Sequence, residues 1–176
     1  AALAALPAAL ANPVAPSVAA GSAAFAQHGN TLSVTNANNT IINWGGFSIG
    51  ANEVTRFIQQ SQASAVLNRV VGQDPSAILG SLQSNGRVFL INPNGIVFGA
   101  GSQINVGGLV ASTLNLRNED VLAGRMRFPE GLGNSVINQG NITTSSGGNV
   151  YLIGSGVTNN GIITSPKGDV ILAAGN

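Results

Sequence analysis

The sequence predicts an all-β protein wound as a parallel β-helix (β-solenoid). Three observations predict it: an internal repeat, short β-type runs set between Asn/Gly/Ser corners, and a polar surface nearly free of charge. The repeat lies near the C-terminus, where VINQGNITTSSGGNVYLIGSG (136–156) aligns with VTNNGIITSPKGDVILAAGN (157–176). Val136 falls on Val157, Asn138 on Asn159, Gly140 on Gly161 and Ile142 on Ile163. After a one-residue deletion, Gly148 falls on Gly168, Val150 on Val170 and Leu152 on Leu172. A period of 21 and then 20 residues with no helical half is too short for a propeller blade and unlike ankyrin or tetratricopeptide arrays. It is the length of one solenoid coil of two or three strands.

Taken in order, the chain opens on AALAALPAALA (1–11), an Ala/Leu stretch that reads either as the end of a secretory signal peptide, closing on the small-residue pattern Ala9-Leu10-Ala11 without the basic region that begins one, or as a flexible leader. The domain proper is expected over 12–176. The region of about 21–45, with Phe25 and paired short strands, is expected to cap the solenoid, because a bare end exposes apolar rungs and unpaired edges. Strand-type runs follow at Thr31–Thr35, Thr40–Trp44, Arg87–Ile91, Gly95–Phe98, Gln103–Val106, Val150–Ile153 and Asp169–Leu172. Two short helices are expected, at Glu53–Gln59 and at Pro75–Gln83, the second with Asp74 as N-cap and Pro75 at its first position. Coils of roughly 20 residues leave room for about seven turns at most. The final VILAAGN carries no cap, so a further coil is expected to follow it.

The composition fits stacked strands. Charged residues are 7% of the chain and hydrophobic residues 44%, against roughly 25% charged in an average domain. No apolar run approaches the roughly 20 residues of a membrane-spanning helix. Asn, Gln, Ser and Thr must therefore make the surface soluble. On stacked coils like charges would repel, whereas Asn and Thr hydrogen-bond from one coil to the next. The net charge is +1, and the seven basic residues are scattered apart from a group at 117–127. That group (Arg117, Arg125, Arg127) reads as a solvated loop shared with Glu119, Asp120 and Glu130, so no nucleic-acid partner is expected. The chain has no cysteine, which suits a protein that crosses a pore unfolded, since a disulfide would block threading.

Enzyme chemistry finds little support. With one histidine, His28 in a polar turn, and no cysteine, a zinc site would need carboxylates that do not cluster. No metal and no cofactor are expected. A polysaccharide-active β-helix enzyme needs converging carboxylates. Here only Glu119 and Asp120 are adjacent, and they read as a solvated turn. No catalytic residue is assigned.

The stretch 40–116 resembles the two-partner secretion (TPS) domain that begins filamentous-haemagglutinin-like adhesins and related haemolysins. The residues that carry the resemblance are Ile42-Asn43-Trp44, Phe47, Ala65-Val66-Leu67-Asn68-Arg69-Val70 and Asn92-Pro93-Asn94-Gly95-Ile96, in this order and spacing. Some members have an Asn-Pro-Asn-Leu motif upstream where this chain has Leu67-Asn68-Arg69-Val70, which places it nearer the high-molecular-weight adhesin type. The resemblance implies a right-handed β-helix with an N-terminal cap and extra-helical strands. It also implies recognition in the periplasm by the POTRA domains of a dedicated outer-membrane β-barrel transporter. The exoprotein would then be threaded to the cell surface, where a downstream region meets a host or bacterial ligand.

The candidate site is Asn92, Pro93, Asn94, Gly95 and Ile96, together with Asn68 and Arg69. By its chemistry Asn92–Gly95 is a β-turn: Pro93 presets φ, Asn94 tolerates the next position and Gly95 accepts φ > 0. Such a turn either closes a coil or touches the transporter. Arg69 can pin a loop through its planar fork or meet the partner. Trp44 is expected in the core near the cap. The competing readings are a self-associating structural solenoid and, behind it, the polysaccharide-active enzyme.

Overall fold

The structure, a computed structural model, describes residues 12–125 and 133–175. The expected leader at 1–11, together with Arg127 and Glu130 of the basic loop, lies outside the described residues. The chain begins with β1 (Val14–Ala20) and β2 (Ala23–His28). A first coil follows as β3 (Thr31–Asn36) and β4 (Thr40–Gly46), and a second as β5 (Val54–Ile58) and β6 (Ala65–Val70). The third coil is β7 (Ser76–Ile78), β8 (Ser81–Ser84) and β9 (Arg87–Ile91). The fourth is β10 (Ile96–Phe98), β11 (Gln103–Val106) and β12 (Gly108–Ser112). An excursion carrying the short helix α1 (Asn118–Leu122) intervenes. Then come β13 (Val136–Asn138), β14 (Asn141–Thr144) and β15 (Val150–Gly154), and last β16 (Val157–Asn159), β17 (Ile162–Thr164) and β18 (Val170–Ala174).

Strands stack by their place in the coil and form three faces. Face A runs β1-β4-β6-β9-β12-β15-β18, face B runs β2-β3-β5-β8-β11-β14-β17, and face C runs β7-β10-β13-β16. Pairing between coils is parallel throughout. Among the described residues only β1 on β4 and β2 on β3 are antiparallel. The parallel β-helix is therefore the fold, with six coils and two strands outside the coil pattern among the described residues. Those two strands occupy the first edges of faces A and B, where unpaired N–H and C=O groups would otherwise lie open. Within the segment 21–45, β2 is antiparallel whereas β3 and β4 already pair in parallel with β5 and β6.

The repeat seen in sequence is the register of the last two coils. Val136 pairs with Val157, Asn138 with Asn159, Ile142 with Ile163, Val150 with Val170 and Leu152 with Leu172. Corners stack as strictly as strands. A Cβ on Gly148 would lie 2.0 Å from the Gly107 carbonyl oxygen, and one on Gly168 would lie 1.8 Å from that of Gly148. At this corner only glycine lets coils approach at the roughly 4.8 Å strand spacing.

Neither expected short helix forms. Residues 54–58 are strand β5, in which Thr55 and Phe57 face inward and are fully buried. Pairing with both β3 and β8 outweighs a weak helical preference. The stretch 75–83 splits into β7 and β8 at Gly80, whose added Cβ would lie 2.1 Å from the Gly50 carbonyl oxygen. A glycine pressed against the previous coil makes a corner that a helix cannot occupy.

Two apolar layers hold the molecule together. The interior contains Val34, Ile42, Trp44, Phe57, Val66, Leu82, Val88, Leu90, Phe98, Ile104, Val136 and Leu152. A second layer lies outside face A, where Ile41, Leu67, Phe89, Ile91, Val110 and Ile153 meet Leu114, Leu116 and Val121 of the excursion. Strands of face A are thus buried on both sides over the span that carries the candidate residues.

Candidate functional site

Asn92–Ile96 forms the corner where the third coil passes from face A to face C. Gly95 N–H donates to the Asn92 carbonyl at 3.2 Å, closing the turn. Gly95 has φ 125°, the left-handed side of the map that glycine adopts freely. Pro93 and Asn94 occupy the two central positions and are half-buried. Ile96 is fully buried and begins β10.

Asn92 is fully buried. Its Nδ2 donates to the Asp74 carbonyl at 3.0 Å and to Ser76 Oγ at 2.9 Å. Its Oδ1 accepts from Asn94 N–H and Asn94 Nδ2, both at 3.0 Å. Asn94 Nδ2 also donates to the Gly72 carbonyl at 2.9 Å. From the coil above, Asn134 Nδ2 donates to the Pro93 carbonyl at 2.8 Å. The turn is therefore tied to the corners on either side of it. A buried amide survives only with its donors and acceptors matched, and here each is.

Asn68 and Arg69 sit on β6, directly beside this corner, since Asn68 pairs with Leu90 and Arg69 with Ile91. Alternation along the strand sends them opposite ways. Asn68 points inward and is fully buried. Its Oδ1 accepts from Trp44 Nε1–H at 2.8 Å, and its Nδ2 donates to the Phe89 carbonyl at 3.2 Å. Trp44 is also fully buried and meets Phe25 and Phe47 edge to face, each at 5.7 Å. Arg69 points outward. Its guanidinium donates to the Leu116 carbonyl at 2.5 Å, to Asn118 Oδ1 at 2.6 Å and to Asn115 Oδ1. Burial lowers the Arg69 pKa below its ordinary value, the cost of taking a cation out of water. The fork holds the excursion 115–118 against face A.

The structure thus brings all seven residues to one corner and separates them by exposure. Asn68, Asn92 and Ile96 are interior, whereas Pro93, Asn94 and the Arg69 head reach the surface layer. Sequence reasoning missed the excursion as a lid on a second apolar layer. The available signal was the unbroken apolar run Val88-Phe89-Leu90-Ile91, which marks a strand buried on both faces. Glu119 and Asp120 lie in the first turn of α1, not in a bare turn, near Arg117 (3.7 Å) and Arg125 (3.5 Å) respectively. Among the described residues no three His, Asp or Glu side chains gather as metal ligands.

A family model described as the TPS secretion domain matches residues 12–176. A heme/hemopexin-binding protein of Haemophilus influenzae is 35% identical over 165 residues, covering 77% of this chain and 18% of that protein. A second heme/hemopexin-binding protein of Haemophilus influenzae is 43% identical over 75 residues, covering 43% of this chain and 8% of the relative. The chain thus spans less than a fifth of the length of these relatives. The crystal structure of the HMW1 secretion domain from Haemophilus influenzae superposes with a TM-score of 0.85 at 39% identity, covering 93% of this chain and 45% of that one. With the coils, the corner turn and the outer layer all inside the matched span, the chain belongs to the TPS, or two-partner secretion, domain family.

Proposed function

We propose that this domain is the secretion signal of a larger adhesin- or haemagglutinin-type exoprotein, recognised by the POTRA domains of an outer-membrane β-barrel transporter. Family membership already implies export by a Gram-negative bacterium with a transporter as second partner. The observation that carries the finer reading is the corner itself. It presents half-buried Pro93 and Asn94 toward the surface while buried Asn92 holds Asn94 from within. In this reading Pro93, Asn94 and the Arg69-held excursion form the contact surface, and the stacked coils nucleate the β-helix of the region that follows. The ligand that the parent meets, as the relatives' names report heme or hemopexin, is assigned to its remaining length.

The test is capture of the purified domain by the transporter's periplasmic segment. Asn94→Ala should unfold within a few degrees of wild type yet lose capture and secretion. Secretion that continues in cells lacking the transporter overturns the reading.

A further inference from the structure

We propose that the Ala11–Asn12 bond is the leader-cleavage site, and that the α-ammonium group released on Asn12 docks on the Glu53 carboxylate and anchors the fold. The inference goes beyond the secretion reading, because it concerns a step completed before any outer-membrane transporter is met.

Asn12 sits in a socket built by two separate stretches of chain, at Asn30 and at Gly50–Thr55. Its main-chain nitrogen lies 3.0 Å from Glu53 Oε2, while Glu53 Oε1 accepts from Gly50 N–H at 2.7 Å. Its Nδ2 donates to the Asn30 carbonyl at 3.0 Å, and its Oδ1 accepts from Thr55 Oγ1 at 3.0 Å. Asn12 is only 4% exposed and Thr55 is fully buried. An asparagine offers a donor and an acceptor on one short side chain, and this socket uses both.

The carboxylate is the telling part. Facing a neutral amide N–H, it meets one polar hydrogen. Facing an ammonium, the same oxygen at the same place meets a full opposite charge, and charge-assisted hydrogen bonds of this kind are roughly twice as strong as neutral ones. The sequence before Asn12 supplies the means. Ala11 and Ala9 are the small residues at the first and third positions before the bond, the pattern read by the endopeptidases that remove secretory leaders. A cut here keeps all of β1, which starts at Val14 and covers the edge of β4. A cut at the later alanines, Ala19 or Ala20, would remove β1 and bare that edge.

The chemistry is hydrolysis. Water adds across the amide, Ala11 leaves as a carboxylate on the leader, and the Asn12 nitrogen takes up protons to become –NH3+. No oxidant or reductant is required.

The precursor is expressed with the transporter gene deleted, so that the product stays in the periplasm, and its intact mass and N-terminal sequence are read. Asn12 is expected as the first residue. Any other first residue, or an uncut chain, overturns the cleavage assignment and leaves the transporter reading untouched. Glu53→Gln is then compared in this product and in chain 1–176 made without export, whose Asn12 nitrogen remains an amide. The substitution should lower the thermal midpoint by about 2–4 °C more in the processed protein, and the extra loss should shrink at 1 M salt. Equal losses in both forms overturn the ammonium anchor. An independent reading is acylation of the Asn12 α-amine, expected to be slower in the folded than in the urea-unfolded processed protein; equal rates also overturn it.

Discussion

Replacing Asn92 by alanine asks whether the corner turn is first of all a structural clamp. The side chain is fully buried and makes four hydrogen bonds, to the Asp74 carbonyl, Ser76 Oγ, Asn94 N–H and Asn94 Nδ2, at 2.9–3.0 Å. Alanine removes all four. A net hydrogen bond contributes about 0.5–1.5 kcal/mol, and a buried group left without its partner costs about 1–3 kcal/mol. Ser76 is fully buried and keeps the whole cost, whereas half-buried Asn94 is rescued by water. The loss should come to about 3 kcal/mol, which in a domain of this size lowers Tm by about 6–12 °C. Asn94→Ala keeps the main-chain N–H bond to Asn92 Oδ1 and removes only the two bonds of Asn94 Nδ2, to Asn92 Oδ1 and to the Gly72 carbonyl. It should cost about 1 kcal/mol. Thermal unfolding followed by far-UV circular dichroism measures both, with secretion scored in parallel. An Asn92→Ala domain that melts within about 2 °C of wild type, or an Asn94→Ala domain that melts lower than it, would refute the reasoning.

Four further substitutions probe the other contacts. Asn68→Leu leaves the Trp44 indole N–H buried without an acceptor, so urea unfolding followed by tryptophan fluorescence should show a loss of about 1–3 kcal/mol. Arg69→Met removes the fork that holds Asn115, Leu116 and Asn118; limited proteolysis with mass analysis should show cutting within 113–125 rise several-fold while the coils stay intact. Gly148→Ala drives a Cβ to 2.0 Å from the Gly107 carbonyl oxygen and should abolish soluble expression, whereas Gly101→Ala, with nothing within 4 Å, should melt as wild type.

The fold was legible where coils resemble their neighbours and obscure where they do not. Coils five and six carry like residues at like positions, so alignment and register coincide. Ile96 pairs with Ser76 on one side but with Val136 on the other, because the excursion lengthens that step and hides the period. The helix expected at 53–59 failed because Val54-Thr55-Arg56-Phe57 follows period two, and the strands on either side use it. The turn at Asn92–Gly95 was legible from proline and glycine chemistry alone. The burial of Asn92 was not, since its partners Asp74 and Ser76 belong to the previous coil and are set by stacking. The Trp44–Asn68 bond was hidden for the same reason: the two residues meet only when β4 lies on β6.

The same stacking bears on how such a chain becomes a folded exoprotein. Each coil bonds to the coil before it, roughly 20 residues earlier except across the excursion, where Ile96 pairs with Val136, so elsewhere the loop-closure entropy of adding a coil stays nearly constant. Growth therefore needs no distant segment, with one further exception. The outer layer on Ile41, Leu67 and Phe89 closes only after Leu114, Leu116 and Val121 have arrived. At the starting end, β1 and β2 run antiparallel and cover the first edges of faces A and B, which blocks addition there. Within the described coils assembly can thus follow the order of the chain, each coil templated by the one before it.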